Sequence, residues 1–306
     1  MSVFITKTVK FIFKAADRLV NTLFITLLLL LLILTVYITS ENKRILDEAD
    51  SKVYTAYKPT SEDTTSFDEL RAINNEIVGW LTIDDTKIDY PLTHTTNNDK
   101  YVNTSATGEF SLSGALFLDF RNAPDFSDPL TVIYGHNMTD DMMFGVIDKY
   151  SDPFFFKEHK HGTLFFGGDY YDVSVFAYLM ADAHDTNVYS PTLKEDGVES
   201  WIAHVRETAV NFDSKPLSGG RMLLLSTCSS GITNGRDLLA AVITPGGKPP
   251  EAKEVGHSTS PAQLSGIIRR EKINIYIVYM GIALAVLTVI YFILKRRKKK
   301  KHEQGK

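Results

Sequence analysis

Met222-Leu223-Leu224-Leu225-Ser226-Thr227-Cys228 is the stretch on which the reading of this 306-residue chain turns. An apolar run that closes on two hydroxyls and the chain's single cysteine reads as a buried strand presenting a thiol at its rigid end. A lone thiol has two readings. It is either a small core residue or a nucleophile, and a nucleophile needs a base or cation beside it, because a pKa of ~8.5 leaves it mostly protonated at neutral pH. One cysteine closes no intramolecular disulfide. With 44% hydrophobic and 23% charged residues, 19 Gly and 11 Pro, the composition is globular, with length for one or two domains. Collagen-like, disordered and disulfide-stapled classes are excluded.

Outward from Cys228, Ser229-Ser230-Gly231 is a tight polar exit, and Arg236 opens the next strand eight residues on. An arginine on an adjacent strand either faces the thiol or is a surface charge, and spacing does not choose between them. Of the eight histidines, His94, His159, His161, His184, His204, His257 and His302 lie in polar or loop-like contexts and are expected on solvated surface. His136 differs. It follows Thr131-Val132-Ile133-Tyr134-Gly135 and, like Cys228, stands at a strand end.

Period-two patterning predicts further strands. Trp80–Ile83 and Lys87–Tyr90 form a hairpin about Asp84-Asp85, and others lie at Gly114–Asp119, Leu130–Tyr134, Thr163–Phe166, Tyr171–Met180 and Leu238–Ile243. Helices are expected from Ser66, where Ser66-Phe67-Asp68-Glu69 has capping-box form with a stripe of Phe67, Leu70, Ile73 and Ile77, and at Met143–Lys149 and Val198–Thr208. Many short strands with few helices predict a mainly β fold, a closed or nearly closed barrel.

The formal charge of −4 is unevenly spread. Residues 1–22 hold Lys7, Lys10, Lys14 and Arg18 against Asp17, and 295–306 hold eight cations against Glu303. Taking these twelve cations and two anions from totals of 33 and 37 leaves 21 and 35, a net −14 between the ends. Such a body repels nucleic acid, and no nucleic-acid partner is expected. Two apolar runs explain the pattern, Leu23–Ile38 and the uncharged Ile275–Leu294. Twenty residues at ~1.5 Å each span a ~30 Å hydrocarbon core. The first run fits an uncleaved signal-anchor better than a signal peptide, since Thr39-Ser40-Glu41-Asn42 offers no small-x-small cleavage site. The positive flanks place both termini in the cytoplasm. The expected order is a basic N-terminus (1–22), a transmembrane anchor (23–39), a helical stalk (40–65), an extracytoplasmic domain (66–245), a linker (246–274), a second transmembrane helix (275–294) and a basic tail (295–306).

The segments Ile133-Tyr134-Gly135-His136-Asn137-Met138 and Leu225-Ser226-Thr227-Cys228, with Arg236 after them, resemble the signatures of sortases, membrane-anchored cysteine transpeptidases of Gram-positive bacteria. Val78–Ile83, Ile88–Pro91, Ala115–Asp119, Met143-Phe144 and Asp152-Pro153-Phe154-Phe155 resemble class B sortases in the same order, over about residues 66–244. The resemblance implies an eight-stranded barrel flanked here by the two membrane helices. It implies Cys228 as the nucleophile that forms a thioester, His136 as general acid and base, and Arg236 as the group holding the substrate backbone or oxyanion. Ser226, Thr227 and Asn137 are candidate substrate contacts. The implied partners are surface or pilin proteins bearing a C-terminal sorting signal, and an amine acceptor, either a pilin lysine or a peptidoglycan precursor. No cofactor or metal is expected, because His159 and His161, two apart in a loop, lack further nearby ligands. The second membrane helix and basic tail look more like pilus-building sortases, usually class C, yet residues 40–66 lack the Asp-Pro-aromatic lid motif of that class. The alternatives are a sortase that anchors one protein to the wall and, in another class, a noncatalytic surface receptor, which leaves Cys228 unexplained. A papain-type protease requires Cys before His, the reverse of the order here.

Overall fold

The computed structural model describes residues 2–60, 64–214, 220–229, 233–249, 279, 281–283 and 286. The chain divides into two units, Met1–Arg44 with Ser265–Lys306, and Ile45–Leu264.

The helix α1 (Ser2–Ala49), which belongs to the first unit as far as Arg44, runs well beyond the apolar stretch expected as the anchor. Leu27 to Leu32 are each 38–60% exposed, so this helix turns leucine outward on all sides. An apolar surface of that kind suits lipid rather than water. Its hydroxyls are satisfied internally: Thr22, Thr26, Thr35 and Thr39 each donate to the carbonyl four residues back. One helix long and apolar enough to cross a membrane occurs among the described residues. The expected second span at 275–294 lies outside them, apart from the few positions named above, as do the tail and the linker beyond Lys248-Pro249.

The second unit is built on nine strands: β1 (Ile77–Ile83), β2 (Asp89–Thr93), β3 (Leu116–Leu118), β4 (Leu130–Tyr134), β5 (His161–Phe166), β6 (Asp169–Asp182), β7 (Ala209–Phe212), β8 (Arg221–Cys228) and β9 (Gly235–Pro245). Eight of them close a barrel in the order β5-β1-β2-β3-β4-β8-β9-β6, with β6 returning to β5. The length of β6 allows this. One edge serves β9 over Tyr171–Asp182, while the other serves β5 over Asp169–Ser174 and β7 over Ala177–Leu179. β7, an edge strand of four residues, was not expected from the sequence.

β8 and β9 read as unbroken apolar runs because both faces are buried. Leu223, Leu225, Leu239, Ala241 and Ile243 point into one core with Trp80, Phe117 and Phe144. Met222, Leu224, Leu238, Ala240 and Val242 point into another, covered by Trp201 and Val205 of a helix at Val198–Thr208, as expected.

Three expectations need correction. The helix α2 (Thr65–Ile73) starts one residue before Ser66, its N-cap Thr64 makes no side-chain capping bond, Ile73 is exposed, and Ile77 already belongs to β1. Met143–Lys149 is not a helix. Met143 has φ 52, which breaks helical continuity, and only a 3-10 turn at Ile147–Ser151 forms. Of the surface histidines, His94 and His204 are half-buried, each with a buried Nε2, and His159 stacks on Phe155 with ring centroids 3.8 Å apart. His257 and His302 lie outside the described residues.

Residues expected as a stalk pack closely on this unit. A 3-10 helix at Ser51–Tyr57 buries Tyr54 and Tyr57, Tyr90 Oη donates to the Ala49 carbonyl at 2.8 Å, and Lys58 pairs with Asp89 at 2.8 Å. The Asp152-Pro153-Phe154-Phe155 segment starts the helix α3 (Pro153–Glu158). Asp152 accepts from the Phe154 and Phe155 amides, and Pro153 takes the first turn, where no N–H is needed.

Candidate active site

Cys228 is the last residue of β8. The six residues before it are buried and it is exposed, so the strand is anchored in the core and presents its end. β9 runs antiparallel to β8 with Cys228 opposite Arg236, which settles what spacing left open: the arginine is the thiol's cross-strand neighbour. β4 runs parallel to β8 with Tyr134 beside Ser226. Two residues further along each chain, His136 and Cys228 therefore come level, and the bond from Gly135 N to Ser226 O continues the ladder between them. Two strand ends and one cross-strand partner thus assemble three residues that lie 92 and 8 positions apart.

His136 Nε2 lies 2.8 Å from the Val102 carbonyl oxygen. That oxygen only accepts, so Nε2 carries the hydrogen, and Nδ1 is the nitrogen left for proton transfer. His136, Cys228 and Arg236 line one cleft of about 310 Å³, with Ser226, Thr227, Asn98 and an apolar side formed by Val102, Phe117 and Tyr134. Of the three candidate substrate contacts, Ser226 Oγ bonds Tyr189 Oη at 2.6 Å, while Thr227 Oγ1 is buried with no partner among the described residues. Asn137 does not line this cleft. Its Nδ2 donates to the Cys228 carbonyl at 2.9 Å, tying the loop after β4 to the end of β8.

The sequence reading missed the support beneath the cleft. Asp119 is fully buried and accepts from Arg121 at 2.8 and 2.9 Å, Asn98 at 3.1 Å and Tyr134 at 2.9 Å. Burial alone would raise its carboxyl, but these donors outweigh it and hold the carboxyl at about 2. The same contact, with burial acting first, raises the Tyr134 hydroxyl, which stays neutral and donating. Tyr134 stacks on Tyr189, so this network reaches Ser226. The only signal in the sequence is an acid closing the apolar stretch Ala115–Asp119. A carboxyl depressed from ~3.9 adds stability that is complete above about pH 4 and lost as pH falls through about 2. Asp119→Asn should therefore cost about 2 kcal/mol at neutral pH and flatten the acid limb of a pH–stability curve followed by thermal melts.

No family model matches the chain. Sortase B of Listeria monocytogenes is 33% identical to it over 199 residues, 63% of this chain and 80% of that protein. The chain belongs to the class B sortases. As a sortase it is a cysteine transpeptidase. Among solved structures, it is similar to a Streptococcus pyogenes class B sortase involved in pilus biogenesis, with 33% identity, a TM-score of 0.53, and coverage of 58% of this chain and 97% of that one. It is also similar to sortase B from the Type II pilus of Streptococcus pneumoniae, with 36% identity, a TM-score of 0.51, and coverage of 58% and 98%.

In this sortase the loop after His136 is closely held. Asn137 bridges to Met143, Phe144 N donates to the His136 carbonyl at 2.9 Å, and Met143 N donates to Tyr90 Oη at 3.0 Å. Gly145 closes the loop where a Cβ would come within 1.9 Å of the Met138 carbonyl oxygen. Gly145→Ala must displace the Met138 backbone, two residues after His136. We expect about a 10²-fold loss of turnover, from misplacement rather than unfolding, with the far-UV circular dichroism spectrum unchanged.

Proposed function

We propose that this sortase is held at the cell membrane, cleaves the C-terminal sorting signal of a pilin or other surface protein, and joins the new acyl end to an amine. One observation carries the reading: the exposed thiol of Cys228 shares a single cleft with His136 and Arg236. Cys228 attacks the scissile carbonyl and His136 protonates the departing amine, leaving a thioester on sulfur. An incoming amine then attacks the thioester while His136 takes its proton, which is general acid–base catalysis worth about 10²–10⁴ in rate. Arg236 holds the substrate backbone or the developing oxyanion through its fixed, always charged donors. Ser226, with Tyr189 behind it, borders the bound signal, while Asn137 holds the Cys228 backbone.

The apolar helix and its basic N-terminal flank support membrane anchoring with residues 1–22 in the cytoplasm. The apolar run at 275–294 followed by Lys295–Lys301 supports a second pass, with 246–274 as linker and the tail in the cytoplasm.

The likeness to two pilus-associated class B sortases favours a pilin lysine as acceptor over a peptidoglycan precursor. Deleting the gene tests this. Pilus assembly predicts that high-mass pilin ladders disappear from denaturing gels. Intact ladders with a surface protein released into the medium would establish wall anchoring instead.

A further inference from the structure

A second cleft, of about 460 Å³, also ends on Cys228, and among the described residues that is the only one the two clefts share. Its walls carry Asn137, Asp140, Asp141, Asp148 and Lys149. Lys149 is paired with Asp141 at 2.6 Å, and Lys87 reaches the Asp140 backbone carbonyl at 2.6 Å. The carboxylates of Asp140 and Asp148 have no salt-bridge partner among the described residues. Asp237, 2% exposed on β9, neighbours Asp148. One of its oxygens accepts from Tyr178 Oη at 2.7 Å, and the other is buried with no donor among the described residues. Burial first, and then the neighbouring Asp237, raise the Asp148 carboxyl. The cleft wall beside the thiol thus carries three carboxylates, Asp140, Asp141 and Asp148, against one lysine, which is already paired with Asp141.

A transpeptidase brings two substrates to one sulfur. With the acyl donor in the histidine–arginine cleft, the second substrate needs another approach to the same atom. We propose that the acidic cleft is the acceptor subsite and takes the protonated primary amine of the acceptor. This rests on the reading that Cys228 carries the acyl group. Lysine ammonium, with a pKa near 10.4, is cationic at neutral pH and is drawn to Asp140 and Asp148. In the transfer, nitrogen bonds to the thioester carbonyl carbon, and the C–S bond breaks with its electron pair on sulfur. Of the two protons the ammonium gives up, one ends on sulfur and one in solvent.

The test uses the full chain in detergent, acylated at Cys228 by a sorting-signal peptide, with discharge followed by intact mass. Three amines are compared: Nα-acetyl-lysine methylamide, triglycine, and hydroxylamine, which is neutral at neutral pH and reports general reactivity. Paired Asp140→Asn and Asp148→Asn substitutions should lower the ratio of cationic-amine to hydroxylamine discharge about tenfold, the scale of two partly exposed charge contacts. Raising salt from about 0.05 to about 0.5 M should lower the same ratio in the wild type. A fall for the lysine amine assigns a side-chain acceptor, and a fall for triglycine assigns a chain terminus. A ratio that the substitutions leave unchanged overturns the proposal. A separate arm distinguishes failure of the acyl-enzyme reading. Cys228 is modified with methanethiosulfonates bearing trimethylammonium or sulfonate, with no peptide present. The acidic cleft predicts that the substitutions reduce the preference for the cationic reagent, and an unchanged preference counts against the cleft whether or not any peptide acylates the enzyme.

Discussion

Alanine at Cys228 should give a folded protein that forms no acyl-enzyme and whose turnover falls to background. The side chain is exposed at the end of β8, so removing its sulfur opens no core cavity. A surface substitution of this kind changes stability by no more than about 0.5 kcal/mol. The chain has no second cysteine to take over. Loss of chemistry without loss of fold is thus the expected pair of results, read by peptide cleavage and by thermal melting of the same preparation. Cleavage surviving at the wild-type rate would remove Cys228 from the mechanism.

The second large effect is expected at His136. Its Nε2 is committed to the Val102 carbonyl, so proton transfer falls to Nδ1, and glutamine at this position supplies no titratable group. His136→Gln should lower kcat/KM about 10²–10⁴-fold, the usual contribution of a positioned acid–base group. The thiol itself should remain open to alkylation, because the strand that carries it is untouched. A variant with reactive Cys228 and lost turnover identifies proton transfer as the missing step. A variant within a few-fold of wild type would show that another group moves the proton.

The legible parts of this protein were those whose signal is local. β8 announced itself because both its faces are buried, which wrote an uninterrupted apolar run ending on a thiol. The helix Val198–Thr208 was legible from its single apolar face. His136 was legible as a residue at a strand end, and parallel pairing of β4 with β8 converts that likeness into adjacency. What could not be read depends on register or on distant segments. Arg236 faces the thiol only because β9 pairs with β8 at one particular offset, and a slip of one residue would turn it to the opposite face. Asn137 follows His136 directly yet lies on the other side of Cys228, since successive residues leaving a strand diverge. Asp119 draws its donors from Asn98, Arg121 and Tyr134, and no spacing rule joins these. β7 was missed because four residues at a sheet edge carry too short a pattern. The Met143 turn was mistaken for helix because an apolar period says nothing about a backbone at positive φ.

The central claim is that Cys228 carries the substrate's acyl group in the cleft it shares with His136 and Arg236. Intact-mass spectrometry of the detergent-solubilised full chain, wild type and Cys228→Ala, mixed with a panel of sorting-signal peptides, tests it most directly. The account predicts a mass increase equal to the acyl fragment on the wild type alone, mapped to Cys228 and discharged by added amine. A folded, thiol-reactive wild type that forms no adduct with any peptide, or an adduct that persists on the alanine variant, would contradict it.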